Sequence, residues 1–453
     1  MELHPYLESD TIPNHDLWYV LSTVGDCPSI RVGHTCTYMK GKSDGDNGKL
    51  YVIGGANPSG AFCDTFILDL NTSQWDTVDL PGFRARYEHA VFIPPSSPDK
   101  IFIFGGADNT GNMNDIQILD TSKNTWTTAK VSGTPPTPRT FHTNSLVRDK
   151  FIVYSGGHNQ AEPVQDRQVH FFDTVTMTWS TKVIKGDAPK PRHGHVMVPV
   201  GENLLYLHGG MARSSFFDDF HCFDLTKNSW SHIKNKKVYP PARAGHSGTS
   251  VGNMLFICGG MNRDGALDDM YRFDTTCKTW CKIELAGPAP ACRLDFGMCS
   301  VELIRDIPPS GNENGDILET SKHAQDMLEL AMKPGSASSR SSSNVDSANS
   351  RDRQLLGSAN SRSGSRQVGS AGSRESFHEY NYESSSNGND IQTLEEGENL
   401  SDDEEETPRA EGACSSVFQE CIKPKHTMKM VLIHGGMDTE GEIFDDTLVF
   451  LVE

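Results

Sequence analysis

HTNSLV (142–147), FIVYSGG (151–157), VHFFD (169–173) and TWSTKV (178–183) are four short runs of strand-forming residues parted by turn-forming ones. Four such runs in succession predict a small antiparallel sheet. The marks of this unit recur along the chain. Gly pairs stand at Gly54-Gly55, Gly105-Gly106, Gly156-Gly157, Gly209-Gly210, Gly259-Gly260 and Gly435-Gly436, and the first five are spaced by 51, 51, 53 and 50 residues. Each pair closes an apolar run. All six Trp keep the same phase: Trp18, Trp75, Trp126, Trp179, Trp230 and Trp280. Five of them follow an Asp by six positions, at Asp69, Asp120, Asp173, Asp224 and Asp274. Downstream comes an Arg: Arg31, Arg86, Arg139, Arg192, Arg243 and Arg293, 13 residues on in every case but the 11 from Trp75 to Arg86. Five of these open an Arg-x-x-His, with His34, His89, His142, His195 and His246; the sixth has Phe296 in the His position. Marks kept in phase over this length predict six copies of one four-stranded sheet.

Each mark has an expected physical job. The paired Gly permit positive φ and close backbone approach where sheets converge. Trp fills the wedge between neighbouring sheets while its N–H finds a partner. The Asp caps the turn before the fourth strand. The Arg-x-x-His pair is expected to hydrogen-bond adjacent sheets. A residue present in every copy serves the repeat, so function is sought where the copies differ.

The copies are out of register with the chain ends. Trp18 to Val24 (WYVLSTV) reads as a fourth strand with no first three before it. The sixth unit opens with RLDFGMCSVELI at Arg293–Ile304, resumes with MKMVLIHGG at Met428, and has no fourth strand of its own. The expectation is a last sheet knitted from both ends, which removes free sheet edges. The domain reading is therefore an extension over 1–17, a repeat body over 18–303, an insertion over 304–427 and the remaining strands over 428–453. Residues 336–374 of the insertion hold 14 Ser and 6 Arg, and residues 395–406 carry eight carboxylates in twelve positions. Such composition predicts disorder. Within it Ser341, after Arg340, and Ser401, before Asp402 and Asp403, are candidate phosphorylation sites for kinases. SKHAQDMLELAMKPG (321–335) predicts one short helix, with Ala324, Met327, Leu328 and Ala331 on one face.

Charge and composition narrow the function. Lys plus Arg number 41 and Asp plus Glu 60, a net of −19, which argues against broad binding to nucleic acid or an anionic membrane surface. No apolar stretch of membrane-spanning length occurs, so no direct membrane insertion is expected, and the polar N-terminus does not read as a signal peptide. Eleven scattered Cys without a CxxC predict a reduced cytosolic protein with no disulfide framework or zinc site. Neither GxxxxGK[ST] nor GxSxG occurs. His193 beside His195, and His208 before Gly209, fit alternation along a strand better than a metal cluster. No catalytic residue, metal or cofactor is expected, and the chain is read as not an enzyme.

What remains is a binding surface. The loops joining second to third strands vary, and with the connections between sheets they share one face. They present Phe62, Arg167, Arg213, Phe216, Phe217 and Arg263 as candidate partner-binding residues. Arg and aromatic side chains most often carry interface energy. An acidic peptide or a folded GTPase suits such a face; a solvated loop surface is the plainer alternative.

A period near 50 with paired Gly after the second strand resembles the kelch-repeat family. The resemblance implies an all-β fold, a six-bladed kelch β-propeller. Kelch propellers include copper oxidases and iron-assisted plant proteins, but no ligand cluster for either metal is evident in the loops. Only 17 residues precede Trp18, so a BTB or F-box module of the ubiquitin-ligase adaptors is not expected there. GGMNRDGALDDMYRFDT (Gly259–Thr275) and HGGMDTEGEIFDD (His434–Asp446) are similar to the kelch members that act as Rab effectors. That resemblance implies binding to the GTP form of a late-endosomal small GTPase of the Rab family. It implies a role in transport from late endosomes to the trans-Golgi network, and a cytoplasmic protein peripherally recruited to those membranes. The alternative within the family is a generic scaffold for a peptide or cytoskeletal partner.

Overall fold

A computed structural model describes residues 4–8, 12–78, 80–140, 143–158, 162–234, 238–306 and 425–453. The helix expected at 321–335, Ser341, Ser401 and most of the insertion lie outside these residues. The described chain forms six four-stranded antiparallel sheets arranged as the blades of a propeller.

Blade 1 consists of Thr35–Met39, Lys49–Ile53, Thr65–Asp69 and Gln74–Val78. Blade 2 consists of Ala90–Phe92, Lys100–Phe104, Ile116–Asp120 and Thr125–Thr128. Blade 3 consists of Leu146–Val147, Lys150–Tyr154, Val169–Asp173 and Thr178–Thr181. Blade 4 consists of Val196–Val200, Leu204–His208, Phe220–Asp224 and Ser229–Ile233. Blade 5 consists of Ser247–Val251, Met254–Cys258, Met270–Asp274 and Thr279–Lys282. Blade 6 takes Gly297–Asp306, Lys425–His434 and Thr447–Leu451 from the far end of the chain and Trp18–Leu21 from the near end.

The closing pairing is antiparallel, with Trp18 opposite Phe450, Tyr19 opposite Val449 and Val20 opposite Leu448. WYVLSTV does not stay in one blade, however. Its first four residues close blade 6, while Val24–Gly25 crosses over and adds a parallel edge strand to blade 1, at Gln74 and Trp75. The same strap recurs where Lys185–Gly186 pairs with Ser229 and Trp230 of blade 4. Gly is needed in the strap because a Cβ on Gly186 would lie 2.1 Å from the Trp230 carbonyl oxygen. Tyr6–Leu7 covers the outer edge of blade 6 in the same parallel sense. The straps protect exposed sheet edges. Blade 6 also has its first two strands longer than the pattern predicts. Their ladder runs on to Asp306 opposite Lys425, so residues 304–306 and 425–427 belong to the blade.

The core is made between blades. Strands buried on both faces read as continuous apolar runs, and the third strands of blades 1 to 4 are buried at their first four positions. The Asp before each fourth strand closes its hairpin by accepting backbone N–H groups. Asp224 Oδ1 takes those of Thr226 at 2.9 Å and Lys227 at 3.1 Å, and Asp120, Asp173 and Asp274 do the same in their blades.

The closing strand buries Trp18, Tyr19 and Leu21 almost fully. Each such side chain is worth roughly 1.5–3 kcal/mol. Deleting residues 1–24 removes all three and bares the Thr447–Leu451 edge. The truncated chain is expected to aggregate; size-exclusion chromatography and thermal melting check this, and a monomer melting with the full chain would count against a closed ring.

Candidate functional site

Six Arg side chains, all 0–1% exposed, organise one face of the propeller. A buried guanidinium needs every donor satisfied and its charge matched. Arg31 meets both needs within its own blade. It donates to the Gly54 carbonyl at 2.9 Å and to both Asp64 oxygens at 2.6 and 3.0 Å. Arg86 pairs in the same way with Asp115, Arg243 with Asp269 and Arg293 with Asp446; Arg192 does so with Asp219. Arg139 reaches Asp166 only at 3.3 Å, and His170 approaches the same carboxylate oxygen at 2.6 Å. For Asp219, burial works against the charged form, but hydrogen bonds from Arg192 and His221 outweigh it and hold the carboxyl well below its usual range.

The expectation that Arg and His both bridge blades is half right. The guanidinium is intrablade, whereas the Arg carbonyl accepts from the preceding blade, as from Gly55 N at 2.9 Å onto Arg86 and from Gly260 N at 2.8 Å onto Arg293. The imidazoles do span seams. His89 Nε2 bonds Thr35 of blade 1 at 2.9 Å, His34 Nε2 bonds the His434 carbonyl of blade 6 at 3.1 Å, and His246 Nε2 bonds His208 of blade 4 at 3.1 Å. In blade 3 the Gly pair was read one residue late. Ser155 takes the first position at φ +63° with Gly156 second, and Gly157 aligns with Ala56 and Ala107 as the bridge partner of the segment entering its own blade, at Thr140 as at Val32 and Tyr87. The Ser155 carbonyl accepts from Arg139 at 2.8 Å.

Each Trp lies against the end of the preceding blade's second strand. Trp179 sits 5.3 Å from Phe104, Trp230 5.0 Å from Tyr154 and Trp280 5.8 Å from His208, between ring centroids. Among the described residues the expected partner for the indole N–H is absent at five positions: Nε1 of Trp18, Trp126, Trp179, Trp230 and Trp280 is buried without an acceptor. The wedge is lined by aromatic and aliphatic groups, and burying so large a ring outweighs the roughly 1–3 kcal/mol of an unmet donor.

The loops between second and third strands share a face with the connections between blades. Bridges such as Val32 to Ala56, His193 to Met211 and Leu294 to Met437 tie the two together. At the axis of this face four backbone hydrogen bonds form part of a girdle. Gly245 N donates to Gly194 O, Asp295 N to Gly245 O, Gly33 N to Asp295 O and Glu88 N to Gly33 O, at 2.6–2.9 Å. Gly33, Gly194 and Gly245 have positive φ, and so do Glu88 (+50°) and Asp295 (+52°). Both carboxylates border a cavity of about 600 Å³ together with His158, His193, His195 and His246. Burial first, and then the Glu88 charge, push the Asp295 carboxyl well above its usual range. Neither acid was singled out in the sequence.

The candidate loop residues divide. Phe62 lies over the Arg31 guanidinium at 4.3 Å and Phe217 over that of Arg192 at 4.2 Å, with Phe444 over Arg293 at 4.8 Å. These rings cap the clamp and are half-buried, so they face inward as much as outward. Phe216 is half-buried, and Arg167, Arg213 and Arg263 are exposed. Arg213 approaches Glu162 at 3.6 Å. Among the described residues no group of three or more His, Cys, Asp or Glu is placed to hold a metal ion, and no helix is long and apolar enough to cross a membrane. The arrangement can hold a partner.

Comparison with known proteins bears on the repeat and on its company. Residues 44–260 match the KLHDC2/KLHL20/DRC7 kelch-repeats domain, and residues 242–284 match the kelch motif. A Bos taurus protein named Rab9 effector protein with kelch motifs is 47% identical over 220 residues, 48% of this chain and 59% of that one. Its Homo sapiens counterpart is 46% identical over the same length and shares. An Arabidopsis thaliana acyl-CoA-binding domain-containing protein 4 is 26% identical over 256 residues, 54% of this chain and 37% of that one. The chain thus spans about 59% of the length of the first two relatives.

Two outcomes follow from the clamp and the seam imidazoles. Arg243→Ala leaves Asp269 unpaired and is expected to cost about 3–5 kcal/mol in urea unfolding, whereas Arg243→Leu with Asp269→Leu together costs less than the sum of the single changes. Burial, aided by nearby Arg charge, holds His195 and His208 down to about 3, His434 down to about 4, and His246 well below its usual value. Below about pH 6.5 the unfolded chain takes up protons that these four do not, so stability falls with falling pH by about 1.4 kcal/mol per unit for each. The Glu88 and Asp295 pair acts in the opposite sense, its contribution falling as pH rises, but it is outnumbered. Unfolding at pH 7.5, 6.5 and 5.5 should show a flat upper interval and a steep lower one.

Proposed function

Since the chain belongs to the kelch-repeat family and closes its blades into a ring, we propose that it is a non-catalytic interaction propeller, an effector that binds a GTP-bound Rab. The observation that carries this reading is the 42–47% identity to several proteins named as Rab9 effectors with kelch motifs. The fold supports it: a closed ring with variable loops on one face presents a broad surface for a partner. We assign the process to transport from late endosomes to the trans-Golgi network. A lipidated GTPase on those membranes would recruit this chain from the cytoplasm.

On the loop face, Arg167, Arg213, Arg263 and Phe216 are the side chains we put forward as contacts. Phe62 and Phe217 contribute less, since each already covers a buried guanidinium. The kelch family also supplies plain scaffolds, which bind without regard to nucleotide. Capture of the full chain on immobilised Rab9 loaded with a non-hydrolysable GTP analogue, against the GDP-loaded form, separates the two. At least tenfold preference for the GTP form is expected, reduced several-fold by Arg167→Glu with Arg263→Glu. Equal or absent capture would replace the effector by a scaffold.

A further inference from the structure

One blade breaks the rule that packs the other five. At the middle of the third strand stand Ile67, Ile118, Phe171, Cys222 and Val449, each buried. Ile67 and Ile118 meet apolar residues of the next blade, and Phe171 meets Phe223 of blade 4 with ring centroids 6.2 Å apart. In blade 5 the equivalent residue is Arg272, and it is exposed. It stands opposite Phe256 on the second strand and Cys281 on the fourth. No hydrogen bond or ion pair engages its guanidinium among the described residues.

At this level the seam from blade 5 to blade 6 holds a groove of about 410 Å³. Arg272, Cys281 and Lys282 form one wall, Phe450 and Val452 the other, and buried Phe256 the floor. Asp16 and Glu284 border it and are exposed, and neither lies within ion-pair distance of Arg272. An Arg in place of a seam aliphatic forgoes apolar burial and leaves five donors open.

We propose that the groove between blades 5 and 6 is a docking site for an extended segment of a partner protein carrying one carboxylate flanked by apolar side chains. The carboxylate meets Arg272, with Lys282 beside it, in the bidentate geometry a guanidinium favours. The apolar neighbours cover Phe256 and Phe450. Asp16 and Glu284 at the border repel a long acidic run, so the groove selects a single acid in an apolar setting. This site lies in a blade seam, apart from the loop-face contacts Arg167, Arg213 and Phe216, and stands whether or not the Rab reading holds.

The test pans phage-displayed random twelve-residue peptides on the full chain, with the Arg272→Glu chain as counter-selection. Recovered peptides should share one Asp or Glu between apolar residues and bind Arg272→Glu at least tenfold more weakly. Bound peptide should slow iodoacetamide labelling of Cys281, which lines the groove, and leave labelling of exposed Cys63 unchanged. Arg272→Val restores the residue type of the other blades; it should bind as weakly as Arg272→Glu yet melt no lower than the natural chain. Failure to recover any peptide, peptides indifferent to Arg272→Glu, unprotected Cys281, or a lower melting temperature for Arg272→Val would each overturn the proposal.

Discussion

The propeller depends on a buried ion pair repeated six times. Each guanidinium reaches the carbonyl that ends its blade's second strand and a carboxylate that opens the third. That fixes the turn between the two strands and with it the direction in which the loop leaves the blade. The same Arg offers its carbonyl to the preceding blade. One residue therefore sets the geometry inside a blade and the spacing between blades. Burying a charge is costly, and the cost is met here by hydrogen-bond saturation, with an aromatic ring over five of the six.

Much of this was legible in the sequence, and the parts that were not have specific reasons. Trp, Gly and Arg kept a period, so blade number and the closing strand followed from counting. The Asp partners were missed because their distance from Arg varies, from 26 residues for Arg243 to Asp269 up to 33 for Arg31 to Asp64, as the intervening loop changes length. Across the insertion it becomes 153. The displaced Gly pair in blade 3 was hidden because Ser155 adopts the left-handed backbone that Gly usually supplies. Trp N–H groups were assigned partners on general grounds, but the seam offers aromatic faces instead.

The candidate surface was less legible than the fold. Phe62 and Phe217 look like interface aromatics when read as loop text, yet their partners are arginines more than twenty residues away in the chain. Conversely Glu88 and Asp295 occupy the axial position that three other blades give to Gly. The Arg-x-x-His spacing aligns them with those Gly, but only the girdle shows that this position lies on the axis. Arg272 likewise reads as an ordinary alternating residue until the other five third strands are laid beside it. Differences between copies carry the information about binding, and the structure adds which of them meet at a seam or on the axis.

The pairing of Trp18 with Phe450 has a consequence for how the protein is made. The strand that finishes the ring leaves the ribosome more than four hundred residues ahead of its partner. At about 5–20 residues per second this is a wait of roughly 20–90 s. Throughout that time Trp18, Tyr19 and Leu21 have no sheet to join, and the nascent chain must keep an apolar strand from neighbouring polysomal copies. Synthesis, more than the finished ring, is thus the stage at which this strand is most exposed to misassembly.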